Sequence, residues 1–243
     1  INQTTGILSS VGTVAVALLA GFNIVMSGDG KSLYVGGTLQ IYMFQRDATT
    51  GLLTANTPAT LALGSTPLNI LISSDGRNVY CLSSGVIRML SRDLTTGILS
   101  LMTPETIAGP VPNYSNMSGD GLSLYVSNNA AIFMFSRDPN TGLLAALAIP
   151  SITTATATLS LIVSPDSNYV YAQNGTTGIN MYSRLLQYDG SVGVFTAVNH
   201  GLVVDDMFRV NSTGILPNGL SNLTTYHVIS GGLTNSTFEA SLT

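Results

Sequence analysis

The sequence predicts an all-β chain, a four-bladed β-propeller followed by a small C-terminal β domain, and three observations carry that expectation. The first is a repeat. Ser27-Gly28-Asp29-Gly30, then Leu33-Tyr34-Val35, then Ile41-Tyr42-Met43-Phe44 return from Ser73, Ser118 and Ser164, at spacings of 46, 45 and 46 residues. A period in the forties made of short strands and turns is the mark of propeller blades, one per repeat. The second is a Thr-Gly-x-Leu motif that recurs in phase, from Thr5, Thr50, Thr96 and Thr141. The third is a change of composition from Gly193, where the repeat stops and both histidines, His200 and His227, appear. The expected division is 1–192 for the propeller and 193–243 for a small β module of assembly or attachment.

Each blade reads as four strands. In the second repeat an apolar inner strand at 69–72 leads into the turn Ser74-Asp75-Gly76, where Asp binds backbone amides and Gly accepts positive φ. A second strand at 78–82 follows, then a link at Ser83-Ser84-Gly85, and a third strand at 86–91 alternating apolar and polar. Asp93 to Gly97 turns the chain into a fourth strand at 98–102, with Gly97 suited to a left-handed position. The N-terminal piece carries the last strand of a blade, at 5–9, without the three strands that should precede it. The fourth repeat has the opposite defect: Arg184 is followed by Leu185, not Asp, and no Thr-Gly-x-Leu comes after it. The expectation is that 5–9 supplies this missing strand, ties the last blade to the first and covers a sheet edge. The alternative is that Tyr188-Asp189-Gly190-Ser191 is a degenerate turn and the orphan strand belongs to blades upstream of Ile1. In the tail, 194–197, 207–211, 225–229 and 237–242 read as short strands, with turns at Asn199-His200-Gly201-Leu202 and Leu216-Pro217-Asn218-Gly219-Leu220.

The repeat aligns residues in columns. Tyr34, Tyr80, Tyr125 and Tyr171 form one, and the expectation is packing between blades, with a ligand-stacking ring as the other reading. Met43, Met89, Met134 and Met181 read as filler between sheets. Arg46, Arg92, Arg137 and Arg184 close the third strands; the first three are followed by Asp47, Asp93 and Asp138, which suggests a turn-stabilising pair, weak if exposed. Asp29, Asp75, Asp120 and Asp166 occupy the repeated turn, and four copies of one residue point to a structural task. Cys81 falls at the column of Val35, Val126 and Ala172 and reads as a small buried apolar residue.

Composition restricts function. Charged residues are 8% of the chain, against about a quarter in ordinary domains. A net charge of −4 with scattered basic residues argues against nucleic acid. The longest apolar stretch, 11–22, is too short to cross a bilayer, so no membrane partner is expected, and no signal peptide is visible. Two distant histidines and one cysteine do not make the usual zinc set, and no phosphate-binding Gly-rich loop with its Lys occurs. No serine lies in a nucleophile elbow that would serve a Ser-His-Asp triad. The expectation is therefore no catalytic residue, no metal, no cofactor and no enzyme. The exposed candidates for glycan contact are Tyr42, Asn128, Asn129 and Asn174.

Two resemblances sharpen the reading. The blade pattern Ser-x-Asp-Gly-x-x-x-Tyr-Val with Ile-x-Met-Phe-x-Arg-Asp-x-x-Thr-Gly-x-Leu, over 1–184, resembles propeller repeats of the lactonase and YVTN type. That group includes 6-phosphogluconolactonase-like enzymes and many surface proteins, usually with seven blades where this sequence offers four. The tail segments from Phe195 to Leu202, from Asp205 to Val210, from Gly214 to Leu220, from Thr225 to Val228 and from Phe238 to Leu242 resemble a small β module of tailed-bacteriophage structural proteins. There His200 would fix a turn, and Leu202 and Leu220 would fill a small core. The resemblance implies a non-enzymatic virion component, as tail fibre, baseplate or capsid decoration, with a role in host attachment. Its partners would be other virion proteins and further copies of itself in a symmetric assembly. The alternatives are a glycan-binding adhesin and a lactonase-like enzyme.

Overall fold

The structure is a computed structural model that describes residues 7–16, 23–154, 157–175, 178–184, 187–189, 194–196, 201–209, 225–229, 233–234 and 237–241. The chain divides into two compact units, residues 1–182 and 183–243. The described elements are all strands.

The first unit is a series of antiparallel blades. Blade 1 holds β1 (Ile24–Met26), β2 (Ser32–Gly37), β3 (Gln40–Arg46) and β4 (Leu53–Ala62). Blade 2 holds β5 (Asn69–Ile72), β6 (Asn78–Ser83), β7 (Val86–Arg92) and β8 (Leu99–Ala108). Blade 3 holds β9 (Tyr114–Met117), β10 (Ser123–Ser127), β11 (Ala131–Arg137) and β12 (Leu144–Thr153). Blade 4 holds β13 (Thr158–Val163), β14 (Tyr169–Asn174) and β15 (Gly178–Ser183). Strand order in each sheet follows the chain, and the inner strands β1, β5, β9 and β13 lie side by side in sequence order.

Turn chemistry fixes these hairpins. Between β1 and β2, the Ser27 hydroxyl donates to Asp29 and accepts from the Ser32 amide at 3.0 Å, while Asp29 accepts from the Lys31 amide at 3.0 Å. Gly30 takes φ 67°, a value that costs a side chain about 1–2 kcal/mol. Blades 2 and 3 repeat the arrangement with Gly76 and Gly121, whereas Ser167 takes the left-handed position in blade 4. The second turn is held by Asp47, whose Oδ1 accepts from the amides of Thr49 (2.9 Å) and Thr50 (2.7 Å).

The outer strands run longer than the sequence suggests: β8 continues to Ala108, past Thr103-Pro104. Proline lacks the N–H that a ladder needs, so it reads as a strand breaker. At the free edge that N–H is dispensable, and a register shift between Arg88 and Leu90 absorbs the irregularity.

The core lies between blades. Tyr34, Ile41 and Met43 of blade 1 pack with Ile70, Val79, Cys81, Leu90 and Leu99 of blade 2. Tyr80, Ile87 and Met89 repeat this against Leu124, Val126, Phe135 and Leu144 of blade 3. Tyr125 and Ile132 repeat it against Leu161, Val163, Val170 and Ala172 of blade 4. Alternation along each strand gives every blade two apolar faces, so each blade is both donor and receiver.

The fourth sheet has three strands among the described residues, and residues 7–16 form no strand, while residues 5 and 6 of the expected closing strand lie outside the described residues. Ile7 and Leu8 are 67% and 77% exposed, and Val16 packs on Leu33, Val35 and Phe44 of blade 1.

The second unit is one antiparallel sheet, β16 (Gln187–Asp189), β17 (Val194–Thr196), β18 (Met207–Arg209), β19 (Thr225–Ile229) and β20 (Thr237–Ser241), in the order β16-β17-β20-β19-β18. Its boundary falls about ten residues before the change of composition because β16 pairs with β17. Tyr226 and Val228 are buried, and the Phe208 and Tyr226 rings stand 5.8 Å apart. His200 and Leu220 lie outside the described residues.

Candidate functional site

The polar side chains of the propeller converge at two kinds of place, clamps between blades and a rim of asparagines. The clamp between blades 1 and 2 is built on Arg92 at the end of β7. Its Nε donates to Tyr34 Oη (2.9 Å) and its Nη2 to Asp29 Oδ2 (3.0 Å) and Ser32 Oγ (3.0 Å) of the preceding blade, while Nη1 donates to Gly76 O (3.2 Å) at home. Tyr34 Oη in turn donates to Gly97 O at 2.7 Å. The clamp between blades 2 and 3 has the same plan. Arg137 donates to Tyr80 Oη (2.9 Å), Asp75 Oδ2 (2.7 Å), Asn78 Oδ1 (2.6 Å) and Gly121 O (3.2 Å), and Tyr80 donates to Gly142 O (2.7 Å).

This corrects the expected pairing of each Arg with the Asp beside it. Neighbouring side chains on a strand leave from opposite faces. Arg92 therefore turns into the blade interface, and Asp93 is taken up by the amides of Thr95 (2.9 Å) and Thr96 (2.7 Å). The methionine column also does more than fill space: Met43 Sδ accepts from the Leu99 amide and Met89 Sδ from the Leu144 amide, both at 3.2 Å across the interface. Each of these methionines sits at the register shift of its third strand.

The electrostatics follow from these contacts. The Ser27 hydroxyl, the Lys31 amide and Arg92 outweigh burial and hold the Asp29 carboxyl down at about 2. For Asp75, burial pushes upward, but Ser73, the Arg77 amide and Arg137 together win and lower it. Burial pushes the Tyr80 phenol up to about 12 and raises Tyr34, so both remain protonated donors. Cys81, fully enclosed between blades 1 and 2, is pushed up by burial to about 12, which makes it an inert thiol.

The asparagines gather where blades 3 and 4 begin. Asn113 Nδ2 donates to Asn129 Oδ1 (2.7 Å) and to Thr158 O (3.4 Å), and Thr158 lies opposite Asn174 in the β13–β14 register. Asn174 donates to Asn180 Oδ1 at 2.8 Å. Asn128 is committed to its turn, accepting from the amides of Ala130 and Ala131, both at 2.8 Å. Tyr42 stands apart on blade 1, half-buried, with Gln40 Nε2 donating to its Oη at 2.8 Å. Of the four expected ligand residues, Asn129 and Asn174 are thus brought to one rim, Asn128 serves a turn there, and Tyr42 is elsewhere. Asn113 joins the rim with no motif to mark it, and Ser32 and Asn78 join the clamps through a column of small polar residues two places before the Tyr in the first three repeats.

A shallow depression of about 540 Å³ is lined by Ser91, Arg92, Asp93, Thr96, Ile98 and Ser100. Its one carboxylate is the turn residue Asp93. The inner strands β1, β5, β9 and β13 carry no acidic, basic or histidine side chain. No group of three or more His, Cys, Asp or Glu among the described residues could hold a metal ion.

No protein-family model and no curated protein sequence matches this chain. Solved structures do. A candidate 6-phosphogluconolactonase from Bacteroides fragilis is 25% identical with a TM-score of 0.56, covering 72% of this chain and 52% of its own. A second from Bacteroides uniformis is 24% identical with a TM-score of 0.55, covering 66% and 49%. A β-propeller domain from Myceliophteria thermophila is 19% identical with a TM-score of 0.50, covering 66% and 52%. The chain thus spans about half the length of these structures. Its structural neighbours are β-propellers, among them proteins of the lactonase type, and its repeated blades have the β-propeller fold.

Proposed function

We propose that this chain is a non-enzymatic structural protein of a bacteriophage virion, a tail-fibre, baseplate or capsid-decoration component, with an outward propeller and a C-terminal assembly module. The observation that carries the reading is the C-terminal unit, a separate five-stranded sheet whose sequence resembles the small β module of phage structural proteins. The propeller is in keeping with a scaffold. Arg92, Arg137, Asp29 and Asp75 are spent on joining blades, and the inner strands carry no acid, base or imidazole. Gold-labelled antibody on virus particles from the source culture is the test. Label at regular particle sites supports the reading and identifies the component; particles without label reject it.

Two other readings have an observation behind them. The names of the two Bacteroides structures favour lactone hydrolysis. That reading falls if the purified chain hydrolyses a sugar lactone no faster than buffer does. The rim of Asn113, Asn129 and Asn174 favours a cell-surface glycan, since amides offer paired donors and acceptors to sugar hydroxyls. A glycan array without a hit, or hits that survive Asn129→Ala, removes it.

A further inference from the structure

The charges of blades 2 and 3 are sorted to one end of the strands, and the other end holds an exposed tyrosine among amides. We propose that this uncharged end binds a neutral saccharide, with the Tyr114 ring as a stacking platform and the Asn113–Asn129 pair as the group that bonds its hydroxyls. The inference rests on the glycan reading of the asparagine rim and sharpens it: it names the class of sugar and adds an aromatic contact. The virion reading is not needed for it. Nor does it matter where the series of blades begins or stops, since blades 2 and 3 each have a blade on both sides.

Antiparallel pairing gathers the starts of the first and third strands and the ends of the second and fourth at one end of each blade. There the chain runs through 63–69, 83–86, 109–114 and 127–131, which contain no Asp, Glu, Lys, Arg or His. The opposite end of the same two blades carries Asp75, Arg92 and Asp93, and Asp120, Arg137 and Asp138. The charges nearest to the uncharged end in β7 and β8, Arg88 and Glu105, are paired with each other at 3.0 Å. A carboxylate, sulfate or phosphate on a ligand would lose water there without gaining a counter-ion, which is costly. A neutral polyol carries no such penalty.

The residues at this end break the repeat where they have no packing reason to do so. Tyr114 opens β9 and is 48% exposed, yet its column is otherwise polar, with Asn69 and Ser160 in the flanking blades. Asn113, just before it, is exposed in a column that holds Leu68 and Leu159 on either side. The Asn113 Nδ2 bond to Asn129 Oδ1, at 2.7 Å, leaves Asn113 Oδ1 as an acceptor and Asn129 Nδ2 as a donor, both on exposed residues. Asn69 opens β5 at the place where Tyr114 opens β9. Its Oδ1 accepts from Asn23 and from the Ile70 amide (2.9 Å), which leaves its Nδ2 as a further donor.

This combination matches the two sides of a sugar ring. The C–H face of a pyranose carries small positive charge and lies against the negative face of an aromatic ring. Its neighbouring hydroxyls each donate and accept, and an amide acceptor beside an amide donor answers two of them at once. A few placed polar groups beside an apolar platform are the usual make-up of a small-molecule site.

The full chain is tested on an array of neutral, sialylated, sulfated and phosphorylated oligosaccharides, followed by titration calorimetry with the strongest neutral hit as free sugar. Hits are expected among the neutral members alone, with an affinity unchanged between about 50 mM and about 500 mM salt, since no ion pair is there to be screened. Tyr114→Ala is expected to weaken binding about tenfold or more, and Tyr114→Phe, which keeps the ring, by no more than about threefold. Asn129→Ala is expected to weaken it about tenfold. Both positions are exposed, so the thermal midpoints of these variants are expected to stay with that of the wild type. An array without a hit ends both this inference and the glycan reading. Hits confined to acidic members overturn the inference and leave the glycan reading standing. So does binding that salt weakens, or binding that Asn129→Ala removes while Tyr114→Ala leaves it unchanged.

Discussion

Arg92→Met removes the centre of the clamp between blades 1 and 2, and its cost can be worked from the contacts. Breaking a buried ion pair on one side commonly costs about 3–5 kcal/mol, because a charge is left without its partner. Here the pair is asymmetric: the Arg92 side chain is 1% exposed, but that of Asp29 is 34% exposed and keeps its bonds from Ser27 and Lys31. Water can take up much of what Asp29 loses, so the lower end applies. Ser32 and Tyr34 each lose a donor in a buried place, about 1 kcal/mol apiece. The expected loss is about 5 kcal/mol, about 3 from the ion pair and about 2 from the two hydrogen bonds. Arg46→Met serves as the internal comparison, since Arg46 donates to one backbone carbonyl and is half-exposed; its expected cost is under about 1 kcal/mol. The chain has no Trp and ten Tyr, so tyrosine fluorescence during urea unfolding reports on the packed columns. If Arg92→Met shifts the midpoint no further than Arg46→Met does, the clamp is not what joins these blades.

Three further outcomes are expected. Gly142→Ala should destabilise by about 2 kcal/mol or more beyond Gly51→Ala, since both sit near φ 77° but only at Gly142 does a Cβ run into the Asn78 side chain that Arg137 holds; equal shifts in thermal midpoint would show that the turn is free to move. Asp29 is depressed from the ordinary 3.8 to about 2, so its stabilisation is complete above 3.8 and is lost as pH falls towards 2. Thermal midpoints should fall through that window and fall less in Asp29→Asn, and an identical profile for both chains would contradict the assignment. Cys81 is buried, with its thiol pushed up to about 12, so a thiol reagent should label it only in denaturant; rapid labelling of the native chain would mean that the interface of blades 1 and 2 opens.

The blades were legible because a propeller repeats its hydrophobic pattern and turn chemistry at one period. Ser27, Asp29 and Gly30 satisfy one another within four residues, so the turn can be read locally. The columns of Tyr34, Ile41 and Met43 likewise show that something packs on a face, since alternation in a strand sorts side chains by side. The outer strand, expected at 98–102, runs on past Thr103-Pro104 because proline's missing N–H is tolerated at an edge that needs no further hydrogen bonds.

What the linear pattern left open is which partner meets which face. Arg92 lies next to Asp93 in sequence and pairs with Asp29 instead, because only the stacking of blade 2 on blade 1 brings that carboxylate within 3.0 Å. Asn129 and Asn174 share a rim while Tyr42 does not, for the same reason. Periodicity in the sequence determined the strands, their turns and the apolar faces of each blade. The stacking of those faces decided where charges pair, and which columns are buried: Tyr34 and Tyr80 are enclosed, while Tyr171 of the same column is exposed.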